Sequence, residues 1–149
     1  MRIYLTDFEM RMAAHVGIER SIQSIAMGLK DAHGFDGDGR WDINIEGAAA
    51  EQALAKYLGR YWGGDIGTFK KPDIGKNIQV RSTVLRNGSL IIRENDNEND
   101  YYVLVTGKMP DFEIVGYILG KDAKQNEYWK QPNERPGAWF VAQDRLKKF

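Results

Sequence analysis

Few side chains in this sequence combine the right chemistry with the spacing of a site. Glu51 lies in a stretch of helical periodicity, three and seven residues before Leu54 and Leu58, on the flank of an apolar stripe. An unpaired carboxylate there is costly, so it calls for a cation, a guanidinium or water. Downstream, Pro72-Asp73 leads into a strand-rich region, and Gln79-Val80-Arg81 falls inside the next extended run. Strand alternation puts Ile78 and Val80 on one face and Gln79 and Arg81 on the other, so two polar side chains share a face. The chain has no cysteine and only two histidines, His15 and His33, which removes thiolate nucleophiles and leaves little for an imidazole metal centre. Any metal would be a hard cation on oxygen ligands.

The elements that must position these groups follow from the hydrophobic period. Phe8, Met12, Ile18, Ile22, Ile25 and Leu29 predict a long amphipathic helix from Thr6 to about Lys30, capped by Thr6 or Asp7 and closed by the glycine-rich stretch from Gly34 to Gly39. A second, alanine-rich helix is expected over about Ile45 to Arg60, with Ala50, Leu54, Tyr57, Leu58 and Tyr61 on one side. Beyond Thr68 the period changes, and Ile78 to Thr83, Ser89 to Arg93, Tyr101 to Thr106 and Phe112 to Leu119 read as strands. Asn87-Gly88 is a hairpin signal and Met109-Pro110-Asp111 a turn, so the sheet is expected to be largely antiparallel or mixed. A short helix within Lys121 to Lys130 and a strand at Ala138 to Val141 complete the pattern. The fold class is thus α/β (α+β), with helices flanking a central sheet, and nothing suggests a linker: residues 1–149 form one domain, with a helix and loop over 1–45 and a core over 46–149.

In order, a helix bearing Glu51, then Pro72-Asp73, then Gln79-Val80-Arg81 resembles the PD-(D/E)XK nuclease superfamily. The stretch from Glu46 to Glu51 followed by Ala55-Lys56-Tyr57-Leu58-Gly59 looks like the first motif of its phage-encoded members. The resemblance implies metal-dependent hydrolysis of DNA, with Mg2+ or Mn2+ held by Glu51, Asp73, the Gln79 amide oxygen and the Val80 carbonyl. Two positions depart from the family pattern: Gln79 stands for the usual acid and Arg81 for the usual lysine. A guanidinium stays protonated, so Arg81 can orient water or stabilise a pentavalent phosphate but cannot act as a base. Lys76, Lys108 and Lys124 are the candidates for a displaced lysine.

Composition and periodicity alone favour a structural account instead, in which Glu51 forms a salt bridge with Arg81 and Asp73 makes a turn after Pro72. A domain of the same fold that has lost cleavage and binds nucleic acid or a host or phage protein is the rival from another class. The 21 basic and 21 acidic residues balance, so attraction of DNA would depend on a local patch, for which Lys70, Lys71, Lys76, Arg86 and Lys124 are the candidates. The acidic run from Glu94 to Asp100 reads as a solvated hairpin tip. No apolar run approaches a membrane span, and Met1 to Met10 lacks the pattern of a secretory signal, so the expected location is the cytoplasm, the host's if the chain is phage-encoded.

Overall fold

The computed structural model describes residues 1–28, 40–67 and 71–149. A short strand, β1 (Arg2–Tyr4), leads into helix α1 (Asp7–Ala26). Thr6 starts the helix through a reciprocal cap: its hydroxyl accepts the Glu9 N–H at 3.2 Å, and the Glu9 carboxylate accepts the Thr6 N–H at 2.7 Å. Met27 and Gly28 close it, earlier than the apolar period suggests. Lys30, His33 and the glycine-rich stretch from Gly34 to Gly39 lie outside the described residues.

Helix α2 (Arg40–Leu58) begins five residues before the expected Ile45 and packs along α1. The contact is close because small residues meet there. Ala13, Gly17 and Ser21 of α1 are buried, and a Cβ added to Gly17 would lie 2.4 Å from the Ile45 Cα. This corrects the reading of α1 as a helix whose large apolar stripe faces the core. Phe8, Met12, Ile18, Ile22 and Ile25 are exposed instead, because only the small-residue face lets the two helix backbones approach.

The other face of α2 covers a four-stranded mixed sheet in the order β1, β5 (Asp111–Leu119), β4 (Tyr101–Lys108), β2 (Ile78–Thr83). Ala48, Ala50, Leu54, Ile74, Val80, Val103, Val105 and Phe112 form the core between them. A second, three-stranded antiparallel sheet has the order β3 (Leu90–Ile92), β7 (Ala138–Val141), β6 (Trp129–Lys130). It packs Leu90, Ile92 and Val141 against Tyr102, Leu104 and Val115 on the opposite face of the first sheet. Strand β4 is therefore buried on both faces, which explains its unbroken apolar run. Between the sheets' last strands come a one-turn helix α3 (Gly120–Ala123) and a 3-10 turn at Asn126–Tyr128, where a single short helix was expected.

Asn87-Gly88 does sit in a turn, with the Gly88 N–H donating to the Leu85 carbonyl at 3.0 Å, but the turn does not make a hairpin. Strand β2 pairs in parallel with β4, and β3 leaves for the second sheet, where Leu90 and Ile92 are fully buried. The alternation of β2 is satisfied by either pairing direction, so local pattern could not choose; burial of β3 in a separate core does. The remaining pairs, β1 with β5 and β5 with β4, are antiparallel. No helix among the described residues is long and apolar enough to cross a membrane.

Candidate functional site

Strand β2 lies at the edge of its sheet, and different groups collect on its two sides. On the helix side, Glu51 projects from α2 at only 8% exposure. Arg20 of α1 grips it with both ends of its fork, Nη1 to Oε1 at 2.7 Å and Nη2 to Oε2 at 2.9 Å. The Trp62 indole donates to the same Oε2 at 3.1 Å, and Arg20 Nε donates to the Asp65 carbonyl at 3.0 Å, tying the segment after α2 to both helices. Burial alone would lower the Arg20 pKa, but the bonds and charge of Glu51 outweigh it and hold it above its ordinary value.

Asp73 is brought to this cluster by the tight lead into β2, where the Ile74 N–H donates to the Ile78 carbonyl at 3.1 Å. Its Oδ2 accepts the Val80 N–H at 2.7 Å, satisfying a donor on the open sheet edge. Burial, and next the negative charge of Glu51, push the Asp73 carboxyl up to about 7, although the Val80 N–H and the charges of Arg81 and Arg20 pull the other way.

Gln79 and Arg81 point to the opposite face. The Gln79 amide donates to Asp100 Oδ2 at 3.0 Å, and Asp100 is buried. Arg81 Nη2 donates to Asp96 Oδ1 at 2.9 Å, its Nη1 to the Val80 carbonyl at 3.2 Å, and its guanidinium lies 4.9 Å from the Tyr102 ring centre. The acidic run is not a hairpin tip, because β3 and β4 lie in different sheets, but it is solvated as its composition suggests, with Glu94, Asn95, Asn97, Glu98 and Asn99 exposed. Asp96 also accepts the Arg93 N–H at 2.8 Å, the Tyr102 hydroxyl donates to the Asn97 carbonyl at 3.0 Å, and Lys124 Nζ donates to the carbonyls of Glu94 and Asp96 at 3.0 and 2.7 Å. Asp96 and Asp100 thus tie the loop to the sheet through Arg81 and Gln79, while Lys124 holds its backbone.

The salt bridge between Glu51 and Arg81 proposed from composition is replaced by one to Arg20. Arg20 was legible in principle: it stands four residues after Val16 and seven after Ala13, on the face that is buried. Reading the large residues as the inward face concealed it. Among the proposed phosphate contacts, Lys71 and Lys76 are exposed beside Asp73 in sequence, Arg86 Nη2 is bonded to Asp111 Oδ2 at 2.9 Å, Lys124 is held by the acidic loop, and Lys70 lies outside the described residues.

If a hard divalent cation binds here, Glu51 and Asp73 are the residues that would hold it, and Glu51 would have to share or exchange a partner, since both its oxygens already accept from Arg20 and Trp62. Gln79 faces away and the Val80 carbonyl already accepts from Arg81. Among the described residues no three histidine, aspartate or glutamate side chains gather as a metal-binding group, so further ligands would be waters, which magnesium readily retains. The chain matches no family model, no curated protein and no solved structure.

Proposed function

We propose that the chain is a PD-(D/E)XK-like phosphodiesterase acting on DNA, with Mg2+ or Mn2+ held at Glu51 and Asp73. One observation carries this reading: two carboxylates from separate elements lie near enough that burial and the charge of Glu51 raise the pKa of Asp73 to about 7. Such pairs concentrate at functional sites, because a cation bound between them lets both ionise. A bound ion of this kind polarises a phosphodiester oxygen and acidifies a water. The chain's own groups do the positioning: the Val80 N–H fixes Asp73, while Arg20 and Trp62 fix the plane of Glu51. Arg20 also brings positive charge to the place where a phosphate would gain negative charge. Gln79 and Arg81 serve the acidic loop in this reading and take no part in the chemistry. The mixed sheet with Asp73 at the lead into an edge strand supports the family core.

The test is cleavage of single- and double-stranded DNA with magnesium or manganese, alongside calorimetry of metal binding. The wild type is expected to cleave, and Asp73→Asn to lose about 100-fold or more of the rate with its fold intact, a loss typical of removing one strong electrostatic group. Absence of both cleavage and metal binding in the wild type overturns the proposal.

A second reading has its own support. Arg20 already neutralises Glu51, and Gln79 and Arg81 are committed elsewhere, which favours a domain of the same fold that binds nucleic acid or a protein without cutting. Salt-sensitive DNA binding without metal uptake selects it.

A further inference from the structure

Helix α1 is apolar on two sides. Its small residues face α2, while the opposite side carries Phe8, Met12, Ile18, Ile22 and Ile25 at 67, 41, 38, 46 and 52% exposure. Their spacing puts all five in one stripe, and exposed His15 lies between Met12 and Ile18 in the same stripe. Single exposed apolar side chains are ordinary, but a continuous row of large ones along a helix marks a surface that is covered in use.

The charges in the row indicate what covers it. Arg11 and Glu19 are exposed, neither is paired with another described residue, and each lies four residues from His15, one before and one after. If a second copy of α1 is laid antiparallel with the two-fold axis at His15, Arg11 of each helix meets Glu19 of the other. In the same register Met12 meets Ile18, Phe8 meets Ile22, and His15 meets its own symmetry mate. Every large apolar side chain from Phe8 to Ile22 then finds an apolar partner, and each charge its opposite. A parallel pairing in register would instead set Arg11 against Arg11 and Glu19 against Glu19. Self-complementarity about a two-fold axis is what an isologous dimer requires. We propose that α1 is a homodimerisation surface in which two copies of the chain pair antiparallel about His15. The surface lies opposite the face that supplies Arg20 to Glu51, so the proposal stands apart from the reading of that site.

The lack of native cysteine makes the register directly testable. Sedimentation equilibrium should show a dimer of the wild-type chain, and His15→Cys should form a disulfide-linked dimer under mild oxidation. Ile25→Cys should stay unlinked, because antiparallel pairing about His15 separates the two copies of that residue by about 30 Å along the helix. Ile22→Glu should weaken association by roughly tenfold or more with an unchanged helical spectrum and melting temperature. Arg11→Glu should weaken it a few-fold, and the added Glu19→Arg should restore it. A monomeric wild type, equal linking of the two cysteine variants, or no recovery in the charge swap overturns the proposal; a monomer would mean that some other molecule covers the row.

Discussion

The two sides of β2 each hold an arginine and two acidic residues, yet they are built differently. On the outer face, Arg81 pairs with Asp96 and Gln79 satisfies Asp100, while backbone groups and Lys124 hold the loop that bears the acids. On the helix side, both ends of the Arg20 fork go to Glu51, and Asp73 is bonded to a backbone donor beside a neighbour of its own charge, with Arg20 and Arg81 acting on it only through their charge. The first arrangement closes its own account of charges and has the character of a brace. In the second, Asp73 is bonded to no cation among the described residues, and burial beside Glu51 raises its pKa to about 7. Polar residues of the same kinds can therefore hold a fold together or leave it receptive, depending on whether partners balance within the cluster.

Removing Glu51 should separate these roles most strongly. Glu51→Ala leaves Arg20 partly buried without its partner and should destabilise the fold by about 3 kcal/mol in urea unfolding, as breaking a buried pair does. A negligible loss would show the pair to be solvated and the comparison wrong.

For Asp73, the sign of the pH effect follows from its raised pKa. The unfolded carboxyl ionises near 3.8, while the folded one holds its proton to about 7, so the folded state loses ground as pH rises through that window. Asp73→Asn can still accept the Val80 N–H and should flatten that slope and stabilise the protein above neutral pH. A wild-type stability that instead rises between these values would place Asp73 in a balanced cluster.

On the outer face, Arg81→Met should cost about 1–2 kcal/mol through the loss of the Asp96 bond. It should leave any metal-dependent activity unchanged; loss of activity with retained stability would bring Arg81 back into the chemistry. Smallest of all, Arg86→Ala breaks an exposed pair with Asp111 and should change stability by less than about 1 kcal/mol. A larger effect there would mean that surface charge matters more to this fold than its partly buried clusters do.

Much of the architecture could be read from the amino acids. The helical stretch opened by Thr6 and Glu9, the alanine-rich α2 and the runs at Ile78–Thr83 and Ala138–Val141 follow from capping and alternation, which act between near neighbours in the chain. Part of the site was equally legible: Glu51 on the flank of an apolar stripe needed a partner, and Asp73 stood at the lead into a strand. The three-residue β1 carried no such signal, because it exists through pairing with β5 far along the chain.

By itself, then, the sequence determined which segments coil or extend, and that Gln79 and Arg81 share a face distinct from that of Val80. Only the tertiary structure decided that β2 runs parallel to β4, that α1 turns its small residues inward, and that Arg20 rather than Arg81 takes Glu51. The reason is physical. Alternation and helical period say which side chains lie together on an element, but not which face is turned toward which neighbour. That choice rests on how closely two surfaces can approach, and here Ala13, Gly17 and Ser21 permit the approach and carry Arg20 with them into the interior.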